Sequence, residues 1–180
     1  MLIYTIGHST RRIEDFLAML QAAGIACIAD VRRFPRSRRH PHFNGDALAK
    51  SLAAAGILYR HFEALGGRRG KAPEGPSPHT LWREEPFRNY ADYAGTEEFR
   101  VALDALEAAA SERPVAIMCA EAVWWRCHRR IIADYLIARG DEVVHILDRE
   151  KLEPATLTPG AAPLPDGTVL YAGNEPLLPL

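Results

Sequence analysis

Two short segments of the sequence place five chemically reactive side chains close together. Cys119 and Glu121 lie in the first segment, and Cys127, His128 and Arg129 follow after five intervening residues. A cysteine thiolate can act as a nucleophile, and a carboxylate or an imidazole can move protons in the same reaction. The two segments therefore predict a reactive thiol at Cys119 or Cys127, with Glu121 and His128 as proton-transfer groups.

The residues on either side of these segments place them between a strand and a helix. The apolar run from Val115 to Met118 predicts a buried strand, and helical spacing of apolar residues predicts a helix over 127–139. Unpaired N–H groups at a helix start favour a thiolate or a bound anion, and Arg126 adds positive charge. We therefore expect Cys127 to ionise near neutral pH.

A cysteine phosphatase loop fits these residues less well. Such a loop places its arginine one position closer to the cysteine than Arg126 lies to Cys119. It also cradles phosphate with small residues, whereas this chain has Trp124 and Trp125 there. The two tryptophans are compatible with stacking on a nucleic-acid base and with packing against neighbouring helices. The phosphatase interpretation is thus weakened, and the role of the tryptophans stays open.

A metal centre is another alternative. Cys119, Cys127 and His128 offer the sulfur and nitrogen ligands that zinc prefers, and His8 or Glu121 could complete the set. Structural zinc sites usually separate paired cysteines by about two to four residues, whereas seven residues lie between these two. This spacing argues against a zinc knuckle and leaves a catalytic metal ion open. The sequence itself requires no cofactor.

More polar residues follow the first two predicted strands. The loop over 30–42 holds five arginines and one aspartate, although the whole chain has a net charge of only −1. Because the carboxyl ends of parallel strands meet at one edge of a sheet, these residues should line one cleft together with the cysteine segments. The residues that we expect to bind an anionic ligand are Ser9, Asp30, Arg32, Ser37 and Arg129, and His8 is a further candidate for proton transfer.

The rest of the pattern alternates strands with helices. Strands are predicted over 2–6, 25–31, 57–62, 114–118 and 142–147, and helices over 13–24, 46–56, 97–106 and 127–139. This order predicts one α/β domain over 1–180, with a mostly parallel sheet of about five strands and helices on both faces. A basic, glycine- and proline-rich loop over 66–86 and an irregular tail over 151–180 interrupt the pattern, although 168–171 could add an edge strand.

The composition bears on the cellular location of the protein. No run among the 180 residues approaches the roughly 18 apolar residues of a membrane-spanning helix. Three cysteines form an odd number without the short framework of a secreted disulfide-rich protein. Cys27, inside an apolar segment, is interpreted as a core residue. We therefore expect a cytoplasmic protein with reduced thiols and no membrane partner.

Several segments together resemble a known family. They are Thr5-Ile6-Gly7-His8-Ser9, Asp30-Val31-Arg32 with Pro35 and Ser37, Leu65-Gly66-Gly67, residues 90–99, both cysteine segments and His145-Ile146. This pattern is similar to that of the domain of unknown function family 488 (DUF 488) and covers nearly everything up to residue 150. Relatives often carry proline where this chain has Trp124-Trp125. The resemblance implies a compact intracellular α/β domain and names no reaction.

Three functions remain as hypotheses. The first is a thiol-dependent hydrolase or transferase that acts on a small anionic ligand, either phosphate-bearing or nucleotide-like. The second is a nucleic-acid-binding or processing module that uses the arginine-rich loop over 32–39 and the basic residues over 68–71. The third is a metal-binding domain built on Cys119, Cys127 and His128.

Overall fold

A central β-sheet organises this computed structural model, which describes residues 1–71 and 75–173. The strands of the described residues are β1 (Leu2–Gly7), β2 (Cys27–Asp30), β3 (Leu58–His61), β4 (Val115–Cys119), β5 (Glu142–Asp148), β6 (Lys151–Pro154), β7 (Ala161–Pro163) and β8 (Val169–Tyr171). The α-helices are α1 (Ile13–Ala22), α2 (Gly45–Ala54), α3 (Glu85–Ala94), α4 (Glu97–Glu112) and α5 (Arg129–Ala138).

Six of these strands form the main sheet, in the order β3-β2-β4-β1-β5-β6. The first five strands pair in parallel, and β6 adds an antiparallel edge to β5. The other two strands, β7 and β8, form a separate antiparallel pair. The expected mostly parallel α/β sheet is thus confirmed, with one more strand than its predicted five.

Helices cover both faces of the sheet, as the sequence predicted. Every residue of β2 and β4 is buried, which is why these strands are almost continuously apolar. Phe16 of α1 and Leu48 of α2 belong to the apolar core on one face. Leu103 of α4 and Ile132 of α5 belong to the core on the other face.

Local signals in the sequence set several helix ends. The Thr96 hydroxyl accepts a hydrogen bond from the Phe99 N–H at 3.4 Å and caps α4. Gly24 and Gly140 adopt φ values of +66° and +89° just after α1 and α5. A residue without a side chain takes this left-handed conformation readily, so both helices end where their glycines were expected to stop them.

Helix α5 starts later than predicted. Residues Trp124–Arg126 form a 3₁₀ turn, and Cys127 follows in an extended conformation with φ −127° and ψ 147°. The α-helix then begins at Arg129, with His128 as its N-cap residue. Cys127 therefore precedes the helix, so nearby side chains, rather than the helix start alone, must determine its ionisation.

Helix α3 was not predicted, and its first residues fall within the expected loop over 66–86. Its buried residues are Tyr90, Ala91 and Ala94, whose spacing is helical; the helix was missed because the glycine- and proline-rich sequence before it was assigned to a loop that extends into its first turn. No helix or strand occurs between 66 and α3 among the described residues, and 72–74 lie outside them.

The expected irregular tail contains three strands. Strand β6 turns back on β5, and the predicted strand near 168–171 pairs with β7 and not with the main sheet. The Tyr171 hydroxyl donates to the Asp134 carboxylate at 2.9 Å, which fixes β8 against α5. Because this contact joins residues that are far apart in the sequence, no local pattern predicts where β8 packs. Residues 174–180 lie outside the described part of the chain.

The order of the strands creates a crevice at one edge of the sheet. Strands β1 and β4 are neighbours, but α1 after β1 and α5 after β4 pack on opposite faces. Parallel sheets bind ligands where the connections diverge in this way. Among the described residues, no helix is long and apolar enough to cross a membrane.

Candidate functional site

A cleft of about 660 Å³ opens at the carboxyl ends of β1, β2 and β4. Small-molecule sites commonly have volumes of about 300–1,000 Å³, so a nucleotide-sized ligand fits. The lining includes eight of the residues that sequence reasoning selected, namely His8, Ser9, Arg32, Ser37, Cys119, Glu121, Cys127 and His128. Residues distant in the sequence therefore share this cleft.

The lining of the cleft is strongly cationic. Its arginines are Arg32, Arg33, Arg36, Arg68 and Arg126, whereas Glu121 is the one acidic residue among the described lining residues. Low-dielectric walls of one sign concentrate ions of the opposite sign inside a cleft. The chain as a whole is nearly neutral, so this positive charge is a local property of the cleft.

Two cysteine sulfurs meet one nitrogen of His128 on the wall of the cleft. The His128 Nδ1 atom lies 3.9 Å from Cys119 Sγ and 3.7 Å from Cys127 Sγ. The other nitrogen, Nε2, lies 2.9 Å from the Val31 carbonyl oxygen, which can only accept. Nε2 must therefore carry a hydrogen, and in the neutral ring Nδ1 is left to accept a proton from either thiol.

The two thiols differ in their tendency to ionise. The hydrogen bond to Cys127 raises the pKa of Cys119 well above its ordinary value, and burial adds to this rise. Burial alone would raise the pKa of Cys127, but the Cys119 hydrogen bond and the charges of His128 and Arg129 hold it well below its ordinary value. Of the pair, Cys127 is therefore the thiolate and Cys119 the thiol that donates to it.

Arg129 supports Cys127 from behind the cleft. Its guanidinium is buried, with Nε 3.4 Å from Cys127 Sγ, and it also donates to the Glu121 carbonyl oxygen and to Thr5 Oγ1. Sequence reasoning placed Arg129 among the ligand-binding residues, but it does not belong to the described lining. Its position joins the two ends of the loop between Cys119 and Cys127.

Arg32 enters the cleft as part of a buried ion pair. Its Nε atom donates to Asp30 Oδ1 at 2.9 Å, and the Tyr59 hydroxyl donates to Asp30 Oδ2 at 2.8 Å. Asp30 is fully buried beneath Arg32 and does not itself line the cleft. The carboxylate thus positions the guanidinium, whose Nη1 reaches His8 Nε2 at 3.3 Å.

His8 is held as a neutral ring. Its Nδ1–H donates to the Ser9 carbonyl oxygen at 2.9 Å, so Nε2 accepts from Arg32. Burial is the main cause that lowers the pKa of His8 to about 4. The Arg32 charge also lowers this pKa, whereas the hydrogen bond to Ser9 opposes the shift. The ring also stacks on Phe43 with 4.2 Å between centroids. His8 therefore carries no charge at neutral pH.

Both predicted serines line the cleft. The Ser9 N–H donates to the Ala120 carbonyl oxygen at 2.9 Å, and Ser9 adopts a left-handed φ of +49°. Non-glycine residues seldom adopt such a φ, and those that do are common at functional sites. The Ser37 N–H donates to Asn44 Oδ1 at 2.6 Å, and its hydroxyl accepts from the His40 N–H at 3.0 Å.

Two glycines leave space that the site requires. A Cβ atom on Gly7 would lie 1.9 Å from the Glu121 carbonyl oxygen. A Cβ atom on Gly67 would lie 2.9 Å from His128 Nδ1, the atom that faces both sulfurs. Both glycines lie within motifs of the sequence, but no role was predicted for either, since only the folded chain brings them against these partners.

Three aromatic residues in the cleft were not selected from the sequence, although Tyr90 belongs to the segment over 90–99. Phe34, which is 60% exposed, lines the cleft with Phe87 and Tyr90. The Tyr90 hydroxyl donates to the Leu65 carbonyl oxygen at 2.7 Å, and its ring centroid lies 5.0 Å from that of His128. Tyr90 and Phe87 belong to α3, which the sequence pattern did not predict.

The tryptophan pair takes no part in the described lining of the cleft. Trp124 stacks on His145 with 4.3 Å between centroids and 13° between planes. Trp125 lies edge-on against Trp124 and is 51% exposed. His145 in turn shares a hydrogen bond of 2.8 Å with Thr5 Oγ1. Trp124 thus anchors the loop, and Trp125 alone remains available for a partner.

Cys119, Cys127 and His128 also form the one cluster of potential metal ligands that the described part of the chain contains. Their ligand atoms all lie within 4.8 Å of one another. Histidines that bind metal usually have their other nitrogen held by a carbonyl or a carboxylate, as Nε2 of His128 is. Three such ligands leave a coordination position open, which is typical of catalytic metal sites.

A family model matches residues 12–136, which is more than half of the chain and spans both cysteine segments. The chain belongs to the family described as Domain of unknown function DUF488. The DUF488 match includes Asp30, Arg32 and Gly67, whereas Gly7, His8 and Ser9 precede it. Comparison with curated proteins and with solved structures finds no match.

Proposed function

We propose that this DUF488 protein is an enzyme in which the Cys127 thiolate attacks a small anionic ligand, phosphate-bearing or nucleotide-like, bound in the cationic cleft. The observation that carries the proposal is the position of Cys127 Sγ, 3.7 Å from His128 Nδ1 and 3.4 Å from Arg129 Nε, on the wall of an arginine-lined cleft. An activated thiolate beside bound anions suits a hydrolase or transferase that passes through a covalent intermediate.

The surrounding residues divide the remaining tasks. His128 takes the proton of Cys127 and can return it, because its ring needs no rotation to do so. Glu121 is exposed in the cleft lining and can protonate a leaving group or activate water. Arg32 binds the anion and His8 positions Arg32. Ser9 and Ser37 offer hydroxyls to the same ligand.

A nucleotide-like ligand is supported by the aromatic residues of the lining. Phe34 and Phe87 offer apolar faces in the same cleft as the arginines. Stacking on aromatic rings holds a base while basic side chains hold its phosphates. The nucleic-acid alternative has less support, because Trp124 is already stacked on His145.

The free thiols support a reducing compartment. All three cysteines are unpaired, and such thiols persist in the cytoplasm, where disulfides are rare. We therefore propose a cytoplasmic location for the enzyme.

The proposed function predicts that Cys127 reacts selectively with anionic reagents. Under reducing conditions at pH 7, iodoacetamide should label Cys127 faster than Cys27, because a larger fraction of Cys127 is thiolate at this pH. Iodoacetate is similar in size but negatively charged. The ratio of its labelling rate to that of iodoacetamide should be larger at Cys127 of the folded protein than at Cys127 of the urea-unfolded protein. Mass spectrometry of the digested protein measures both rates.

Matched arginine variants test the charge of the cleft. Arg36→Gln removes a lining charge and should lower the iodoacetate preference, whereas Arg83→Gln, exposed and outside the lining, should leave it unchanged. Added salt should also lower the preference. Slow and equal labelling of all three cysteines would contradict the proposal that Cys127 is a nucleophile. Fast labelling of Cys127 without a preference for iodoacetate would contradict the proposal that the ligand is anionic.

A metal centre is the second candidate, favoured by the three ligand atoms within 4.8 Å. The Arg129 guanidinium beside Cys127 opposes it, because a positive charge already lies where a divalent cation would bind. Protein purified without added metal should therefore contain no stoichiometric zinc or iron by elemental analysis. One metal ion per chain that is lost in Cys127→Ser would instead establish the metal centre.

A further inference from the structure

We infer that Cys119 and Cys127 form a redox pair, in which Cys127 reduces hydrogen peroxide and Cys119 converts the product into a reversible disulfide. The inference rests on the proposed function in that it also requires the largely buried Cys127 to react from the cleft as a thiolate. It goes further because it assigns a reaction to Cys119, which in the proposed function only donates a hydrogen bond to the attacking thiolate.

The positions of the two sulfurs support the pair. Both lie within 4 Å of the same His128 nitrogen, at 3.9 and 3.7 Å, and both residues line the cleft. A disulfide requires an S–S distance of about 2.05 Å, so the sulfurs must move together by a short distance. Cys119 is fixed by its place in β4 beside Gly7 of β1. Cys127 is a single extended residue between the 3₁₀ turn and α5, so the approach of the sulfurs requires rotation of its side chain.

The third cysteine cannot replace either member of the pair. Cys27 aligns with Val115 in β2 and β4, four residues from Cys119. At about 3.3 Å per residue this separates Cys27 from Cys119 by about 13 Å along the strand. Disulfides require Cα atoms no more than about 7 Å apart. Burial also raises the pKa of Cys27, so it should stay a thiol.

The proposed chemistry balances with peroxide as the oxidant. The Cys127 thiolate attacks one peroxide oxygen, the O–O bond breaks, and Cys127 becomes a sulfenic acid while hydroxide leaves and takes up a proton as water. Cys119 sulfur then attacks the Cys127 sulfur, a second water leaves with the Cys119 proton, and the S–S bond forms. The two thiols lose two electrons in total, and the peroxide gains them. A dithiol reductant returns both thiols.

Peptide mapping after peroxide treatment tests the pair. One equivalent of hydrogen peroxide should reduce the free thiols from three to one per chain, with a Cys119–Cys127 disulfide that dithiothreitol reverses. Cys27→Ser is the matched control and should form the same disulfide. In Cys119→Ser treated with two equivalents of hydrogen peroxide, Cys127 should instead accumulate as sulfinic acid, with two added oxygen atoms. Should that variant fail to fold, the wild-type map decides alone.

The outcomes separate this inference from the proposed function. Wild-type protein in which peroxide produces Cys127 sulfinic acid beside a free Cys119 thiol would overturn the redox pair. If iodoacetamide labels Cys127 rapidly in the same protein before peroxide is added, the proposed nucleophile survives. Slow labelling of Cys127 by both iodoacetamide and peroxide would overturn both.

Discussion

His128 determines what the two cysteines can do. Its Nε2–H is fixed by the Val31 carbonyl oxygen, so the other nitrogen always faces the sulfurs. A proton can pass between Cys127 and His128 while the ring stays in place. Preorganised groups of this kind lower the cost of reaching the reactive geometry. The orientation of one ring therefore controls the reactivity of the cluster.

Substitution of Gly67 should disturb that ring. The Cβ atom of Gly67→Ala would lie 2.9 Å from His128 Nδ1, so the imidazole must shift away from the sulfurs. We expect Cys127 labelling to slow by about tenfold, since a positioned base contributes about 10²-fold or more. Gly70→Ala, whose Cβ meets nothing within 4 Å, is the control. Equal labelling rates in the two variants would show that His128 does not activate Cys127.

At the scale of elements, the loop from Ala120 to Arg126 is held from three sides. Arg129 donates to the Glu121 carbonyl oxygen, and Trp124 stacks on His145 of β5. Gly7, the last residue of β1, lies directly against the backbone of Glu121 and Ala122. The loop is therefore fixed to the sheet, and its shape depends on the absence of a side chain at position 7.

Gly7→Ala should destabilise the fold and not only the site. Its Cβ atom would overlap the backbone of the loop, which cannot rotate aside as a side chain does. We expect the free energy of unfolding to fall by about 3 kcal/mol, at the upper end of overpacking costs. Gly95→Ala, whose nearest neighbour is the Asp92 carbonyl oxygen at 3.5 Å, should change it by less than about 0.5 kcal/mol. Urea denaturation compares the two, and equal stabilities would mean that the loop is freely movable.

For the whole molecule, two buried histidines couple folding to pH. Burial is the main cause that lowers the pKa of His8 and of His145 to about 4. The charge of Arg32 contributes to the shift of His8, and that of Arg129 to the shift of His145. An unfolded histidine has a pKa of about 6.5. Between these values the unfolded chain binds more protons than the folded one, so stability falls as the pH drops from about 6.5 to 4.

This loss of stability can be measured and assigned. One pKa unit corresponds to about 1.4 kcal/mol, so each histidine should contribute a loss of about 2–3 kcal/mol across the window. His145→Gln should flatten the dependence of unfolding free energy on pH, whereas His61→Gln, at an exposed position, should not. A series of urea denaturations from pH 4 to 7 gives both slopes. An unchanged slope in His145→Gln would contradict the assignment.

The sequence pattern predicts the shared cleft better than it predicts the places of individual arginine and aromatic residues. Strand-end reasoning brings His8, Arg32 and Cys119 to one cleft, because parallel strands share an edge. It does not separate Arg129, which is buried behind the cleft, from Arg126, which lines it, since that depends on where α5 begins. Helix α3 has buried residues at helical spacing and was missed because its start was assigned to the loop over 66–86.

The position of β1 in the sheet has a consequence for the order in which the chain folds. Its two neighbours are β4 and β5, and Tyr4 pairs with Ala116 on one side and Val144 on the other. Strand β1 thus leaves the ribosome more than a hundred residues before either of its partners. Pairings at such sequence separation form slowly and leave apolar strands exposed meanwhile. The cleft, which needs β1 beside β4, cannot form until β4 has left the ribosome.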